Sequence, residues 1–225
     1  MKPVNVNAFD IIGDKVAASI LPFGAAATYA AAGTVKAAPC TAIAYAISGI
    51  AVDDAVQKTV DGFYSQYDPV PLVTAGRTRV WVTPNNSTAA AIKADDYLDL
   101  AVLSTGTNTL PVGVFEESGS QAGETRLTSS LARALEDADL VDCVVPDNVA
   151  VGDTTVTLSS AEMTTLDLSD GDYILLNDLN GNTQVNRVVS TTTTVITLQI
   201  AANVALTAAD SDLVHKLTQC GVMLL

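Results

Sequence analysis

From residue 37 onward, turn residues punctuate the chain every few positions, and the runs between them are short and either alternate apolar with polar or are apolar throughout. Runs of that length suit strands better than helices of three turns or more, so the pattern predicts a mainly β protein. CTAIAYAIS (40–48) is a wholly apolar run fit for a buried strand. RTRVWVTP (77–84) alternates Arg79 and Trp81 with Val80 and Val82, then stops at Pro84. DYLDLAVL (96–103) and LPVGVFEES (110–118) read as two further strands on either side of a Thr-Gly-Thr-Asn turn. LTSSLARALEDADL (127–140) supports either element. Leu127, Leu131 and Leu135 recur at helical spacing, yet the same letters alternate well enough for a strand.

A second module is expected after VVPDNVAVG (144–152), a linker centred on Pro146. DTTVTLSS (153–160) is a strand with Val156 and Leu158 on one face. GDYILLNDLNGNTQVNRVVS (171–190) is a hairpin, because Asn180-Gly181 suits the positive φ angles of a tight turn. TTVITLQI (193–200) adds a strand, DLVHKLTQ and GVMLL close the chain, and no helical period of useful length occurs here. The expected architecture is two small β-barrel or β-sandwich modules, 37–143 and 144–225, preceded by an extended N-terminal arm, 1–36.

The arm needs a separate check, since residues 16–35 carry no charge and match a membrane span in length. Ala, Gly and Thr dominate it, Pro22 and Gly24 interrupt it, and Asp10 and Asp14 stand where a signal peptide carries basic residues. An extended arm is the better reading, and no membrane partner is expected. Its large apolar side chains, Ile11, Ile12, Ile20, Leu21, Phe23 and Tyr29, would be a liability in water. They are therefore candidates for an interface, where extended backbone adds to the sheet edge of a partner.

Two acidic stretches echo one another: KADDYLDL (93–100) and SDGDYILL (169–176) each set an acidic pair before a Tyr and an apolar strand. A calcium loop of the EF-hand type fails on count, since from Asp178 the glycine falls two places early and Val189 stands where Glu belongs. The shared feature reads as one turn used twice, the alternative being a weak Ca²⁺ site at Asp170 and Asp172. No other metal and no cofactor is expected. Catalytic machinery is absent from the pattern: His215 is the single histidine, Glu116 and Glu117 are adjacent and so point to opposite strand faces, and no glycine-rich phosphate cradle occurs. Cys40, Cys143 and Cys220 lie far apart, which argues for buried free thiols over a disulfide framework or a zinc site. A net charge of −14 from 25 acidic and 11 basic residues speaks against a nucleic-acid partner, because phosphate binding rests on Lys and Arg. Carbohydrate binding leans on exposed aromatic platforms, and Trp81 with six tyrosines offers few.

The runs VGDTTVTLSS, LSDGDYILLND, NGNTQVNRVVS and TTTTVITLQI resemble a segment that recurs in structural proteins of tailed viruses. KADDYLDLAV followed by LPVGVFEESGSQAGETRLT is similar to the small head decoration, or cement, proteins of those viruses. The resemblance implies a β-barrel or sandwich bound to the outer surface of a capsid lattice in the virion. It implies the major capsid protein as partner, self-association, often as a homotrimer, and no catalytic residues. A tail or fibre protein, and a cellular surface or carbohydrate-binding β-module, share the same style of sequence.

Overall fold

The computed structural model describes residues 9–37, 47–52, 63–83, 91–101, 113–118, 130–180 and 182–225, and its architecture is mainly β, as the strand pattern predicts. The run at 40–48 lies almost wholly outside those residues. The strands of the N-terminal half are β1 (Phe9–Ala17), β2 (Leu21–Pro22), β3 (Ala26–Ala31), β4 (Thr34–Ala37), β5 (Gly49–Ala51), β6 (Phe63–Tyr64) and β7 (Pro69–Val82). After them come β8 (Tyr97–Leu100), β9 (Phe115–Glu117) and β10 (Ala132–Ala134). The rest are β11 (Val141–Val144), β12 (Thr155–Thr157), helix α1 (Ser160–Leu166), β13 (Tyr173–Asn177), β14 (Thr183–Thr191), β15 (Val195–Leu198), β16 (Leu213–Lys216) and β17 (Thr218–Leu224).

The 14-residue strand β7 organises the first half by serving two closed circuits of five strands. Its first part pairs with β1 and β5, and β4 and β3 complete a ring in the order β1-β4-β3-β5-β7. Its second part pairs with β17 on one side and β9 on the other, and β10 and β8 close a barrel in the order β7-β17-β10-β8-β9. The hand-over falls at Gly76, which pairs with both Phe9 and Leu224 and has φ of 92°. Each circuit has its own filling. Small residues such as Ala17, Ala25, Ala27 and Ala37, with Leu21, Val70 and Leu72, pack the ring. Bulkier Val80, Val82, Leu98, Leu100, Phe115, Val222 and Leu224 pack the barrel.

The ring corrects the expectation of a free arm. Residues 9–37 are extended, yet their backbone is hydrogen-bonded inside the ring through β1, β3 and β4. Register shifts at Asp10/Ile11 and Ile12/Lys15 in β1, and at Tyr29/Ala31 in β3, break the period of two that would have revealed strands. The uncharged stretch at 16–35 supplies Ala17, Ala25 and Ala27 of the ring's filling, and no helix of the described residues is long and apolar enough to cross a membrane.

Gly113 locks ring to barrel. Its carbonyl accepts from the Ala26 amide at 3.0 Å, its φ is +48°, and an added Cβ would lie 2.2 Å from the Ala26 carbonyl oxygen. Gly33 has φ of +76° with nothing near its absent Cβ. Gly113→Ala is therefore expected to destabilise by about 2–4 kcal/mol, through strain and displaced backbone, against about 1 kcal/mol for Gly33→Ala. Denaturant midpoints of the two variants check the difference.

The second half is a six-stranded antiparallel sheet in the order β11-β16-β13-β14-β15-β12, folded over its own apolar core of Val145, Val156, Leu166, Ile174, Leu176, Ile196 and Val214. A bulge at Val188/Ser190 bends β14 so that it serves β13 and then β15. The hairpin expected at 171–190 is present with β13 and β14 as its strands. Its turn is held by Asp178, whose carboxylate accepts from the amides of Asn180 and Asn182, each at 2.9 Å. The positive φ among its described residues is at Leu179, 55°, while Gly181 lies outside them.

The described part of 127–140, whose letters support either element, contains the strand β10. Two local features differ from the expectations. A helix does occur at Ser160–Leu166, announced by a capping box in which Ser159 and Glu162 exchange backbone and side-chain hydrogen bonds. Finally, residue 144 falls inside β11, and β17 leaves the second module to pair with β7 and β10 of the barrel.

Candidate functional site

The echoed acidic stretches are one turn, and it occurs four times among the described residues. At 65–68, 93–96, 150–153 and 169–172 the fourth residue is Asp, whose amide donates to the carbonyl of the first at 3.0–3.1 Å. Its carboxylate accepts from the amide of the first residue at 2.8, 2.7, 2.7 and 2.9 Å. The third residue alone has positive φ, as a type II turn requires. Each turn delivers the chain into a strand: β7, β8, β12 and β13. The carboxylates of Asp68, Asp96, Asp153 and Asp172 are thus engaged by backbone.

This also places the two calcium candidates. Asp172 further pairs with Lys216 Nζ at 3.1 Å, and Asp170 accepts from the Thr191 amide at 3.2 Å. Among the described residues, no group of three or more His, Cys, Asp or Glu is arranged to hold a metal ion. Cys143 and Cys220 are buried, which pushes their thiols up to about 12 and about 11 and leaves them protonated and unreactive at neutral pH. Trp81 is no sugar platform. Its ring meets Tyr173 edge-on at 5.2 Å, and its indole N–H donates to the Phe23 carbonyl at 2.7 Å. The neighbouring Arg79 turns instead to Glu136, at 2.9 Å. Glu116 is buried and Glu117 half-buried, in keeping with opposite strand faces.

The third position of the turn singles out one residue. Gly152 and Gly171 occupy it twice and Asp95 once, with φ of 101°, 98° and 77°. In the first turn it holds Tyr67, with φ of 73° and 72% of its surface exposed. A bulky residue in the left-handed region costs about 1–2 kcal/mol, and an aromatic ring left in water adds nothing to the core. Folding therefore gives no reason for a tyrosine there. An exposed aromatic at a strained position is the kind of anchor that binding interfaces use.

Tyr29, one of the six side chains expected at an interface, lies at the same end of the ring. It is 58% exposed, with Lys15 Nζ 5.7 Å from its ring centre. Tyr29 pairs with Val35 on β4, Val35 with Ala17 on β1, and the Ala17 carbonyl accepts from the Tyr67 amide at 2.7 Å. Three strand-like steps separate the two tyrosines, roughly 14 Å of backbone at the usual spacing. The other expected interface residues are placed differently. Leu21 is fully buried in the ring, and Phe23 is half-buried against Tyr64, ring centres 4.9 Å apart. Ile20 is half-buried before β2, while Ile11 and Ile12 pair through their backbones with Val73 and Leu72. Leu21 is thus taken up by the chain's own core and offers a partner nothing. The signal for Tyr67 was available in SQYD, which shares its terminal Asp with the turns AVGD and SDGD.

A family model described as Structural cement protein (E217 gp24/Pam3 gp6) matches residues 3–130, more than half of the chain, and both tyrosines lie within it. No curated protein matches the chain.

Proposed function

We propose, from the premise that this chain belongs to the structural cement protein family of phages, that it binds the outer surface of the capsid lattice and reinforces it, with the Tyr29–Tyr67 end of the ring as the contact. The observation that carries the proposal is the family match over the ring, together with a strained and exposed tyrosine inside the matched region. The chemistry agrees, since a cement protein needs closed β circuits with few free edges and an apolar anchor for its partner. Self-association on the lattice, as a homotrimer, belongs to the same reading.

The direct test is co-sedimentation of the purified chain with capsids assembled from the major capsid protein of the same virus. Saturable binding and a raised capsid melting temperature are expected. Binding to tails and not to heads would overturn the proposal in favour of a tail-associated role. Tyr67→Gly separates contact from folding. It relieves the φ strain, so the melting temperature of the free protein is expected to rise by about 1–4 °C. Capsid affinity is expected to fall about tenfold or more, as loss of an aromatic anchor does. A variant that binds as well as the parent chain would remove Tyr67 from the interface.

A further inference from the structure

We infer that residues 141–217 are a unit inserted into the barrel, held clear of the capsid, and that ring and barrel alone make the lattice contact; this second half rests on the function proposed above. The evidence for insertion is the pairing of β10 with β17. They are antiparallel neighbours from Ala132↔Leu224 to Ala134↔Val222. Beyond β10 the pairing continues: the Leu135 amide donates to the Gly221 carbonyl at 2.8 Å, and the Gly221 amide donates to Glu136 Oε1 at 2.9 Å. At the far end the Thr218 hydroxyl donates to the Asp139 carbonyl at 3.3 Å. The chain therefore leaves the barrel at Asp139 and re-enters it at Thr218, within hydrogen-bonding distance of where it left. A two-residue turn could join those points, and close ends are what an inserted domain needs.

The inserted unit fills its own core: every buried residue of that cluster lies between Cys143 and Val214. It meets the barrel at a small apolar joint, where Trp81, Ala101 and Val114 pack against Tyr173, Leu175, Val185 and Leu217. The family match ends at residue 130, before the insertion begins. Charge divides at nearly the same place. Residues 1–133 hold nine Lys and Arg against twelve Asp and Glu, whereas 134–225 hold two against thirteen. Both cations of the second part have partners: Lys216 pairs with Asp172, and Arg187 donates to the Gly171 carbonyl and, across the joint, lies over the Phe63 ring of β6. The inserted unit thus turns an almost wholly anionic surface to its surroundings, which favours solvent over close packing in a lattice of repeated copies.

The test keeps the full chain and loads it. A monomeric folded domain of about 100 residues is inserted between the exposed Thr193 and Thr194 in one variant, and between Asp147 and Asn148 in another. A third variant carries the same cargo between the exposed Ala32 and Gly33, at the tyrosine end of the ring. Capsid affinity is expected to stay within about threefold for the first two and to fall by about tenfold or more for the third. Loss of binding with cargo at both 193/194 and 147/148, in variants that melt as the parent does, would overturn the assignment of the contact to ring and barrel. Replacing 141–217 by Asn-Gly tests the insertion by itself: cooperative melting of that variant is expected, and failure to melt cooperatively would overturn a separable insert. If the unmodified chain fails to bind capsids, the proposed function and the docking half fall together, while the melting result still decides the insertion.

Discussion

Deletion of residues 218–225 is expected to leave a chain that does not fold cooperatively. The removed strand forms seven cross-strand pairs with β7 and three with β10, so both neighbours lose a partner and the barrel opens. It also carries Cys220, Val222 and Leu224 into the barrel core, all buried. At about 1.5–3 kcal/mol for each fully buried side chain of this size, the lost burial is on the order of 5–8 kcal/mol. That equals the total stability of many domains. A subtler form of the same test is Val222→Asp, which places a carboxylate in the barrel interior and is expected to cost several kcal/mol. Thermal melts followed by circular dichroism check both variants. A deletion variant that melts cooperatively near the parent temperature would show that the barrel closes without its last strand.

Acidification is expected to weaken the fold through one residue. His215 sits on β16 between β11 and β13, with 1% of its side chain exposed and neither ring nitrogen hydrogen-bonded. Burial lowers its pKa from 6.5 to about 4, partly opposed by Asp142, whose Oδ2 lies 3.8 Å from Nδ1. The unfolded chain takes up its proton near pH 6.5 and the folded chain only near 4, so between those values the unfolded state binds more protons. Stability from this group is complete above pH 6.5, declines as pH falls, and is gone by about 4. The loss amounts to about 3 kcal/mol over the whole window and about 2 kcal/mol by pH 5. Urea midpoints at pH 7.5 and pH 5 should show it, and His215→Leu should flatten the profile between them. Equal losses in parent and variant would assign the pH dependence to other groups.

The strands β12 and β15 were legible because their buried apolar residues, Val156 on one and Ile196 and Leu198 on the other, face a core on one side only. The hairpin at 171–190 was legible because its turn residues follow local rules that the backbone cannot evade. The echo of 93–100 and 169–176 was legible as one turn, since an Asp that bonds the amide three residues back acts within four residues. The helix at Ser160–Leu166 had its signal in Ser159 and Glu162, but a helix of seven residues is too short to show a period. The segment at 9–37 was not legible as strands. Its alanines fit a narrow ring where small side chains suffice, and its register shifts erase alternation.

What the amino-acid order determined alone is therefore local: the β class, the turns and the hairpin. Each depends on interactions spanning a few residues. Only tertiary structure decided that β7 serves two circuits, that β17 returns across the inserted unit to close the barrel, and that Leu21 is buried while Tyr67 is exposed under strain. The physical reason is range. Strand pairing is made by backbone groups that every residue carries, so the partner of a strand is set by the packing of distant segments and leaves little trace in its own letters.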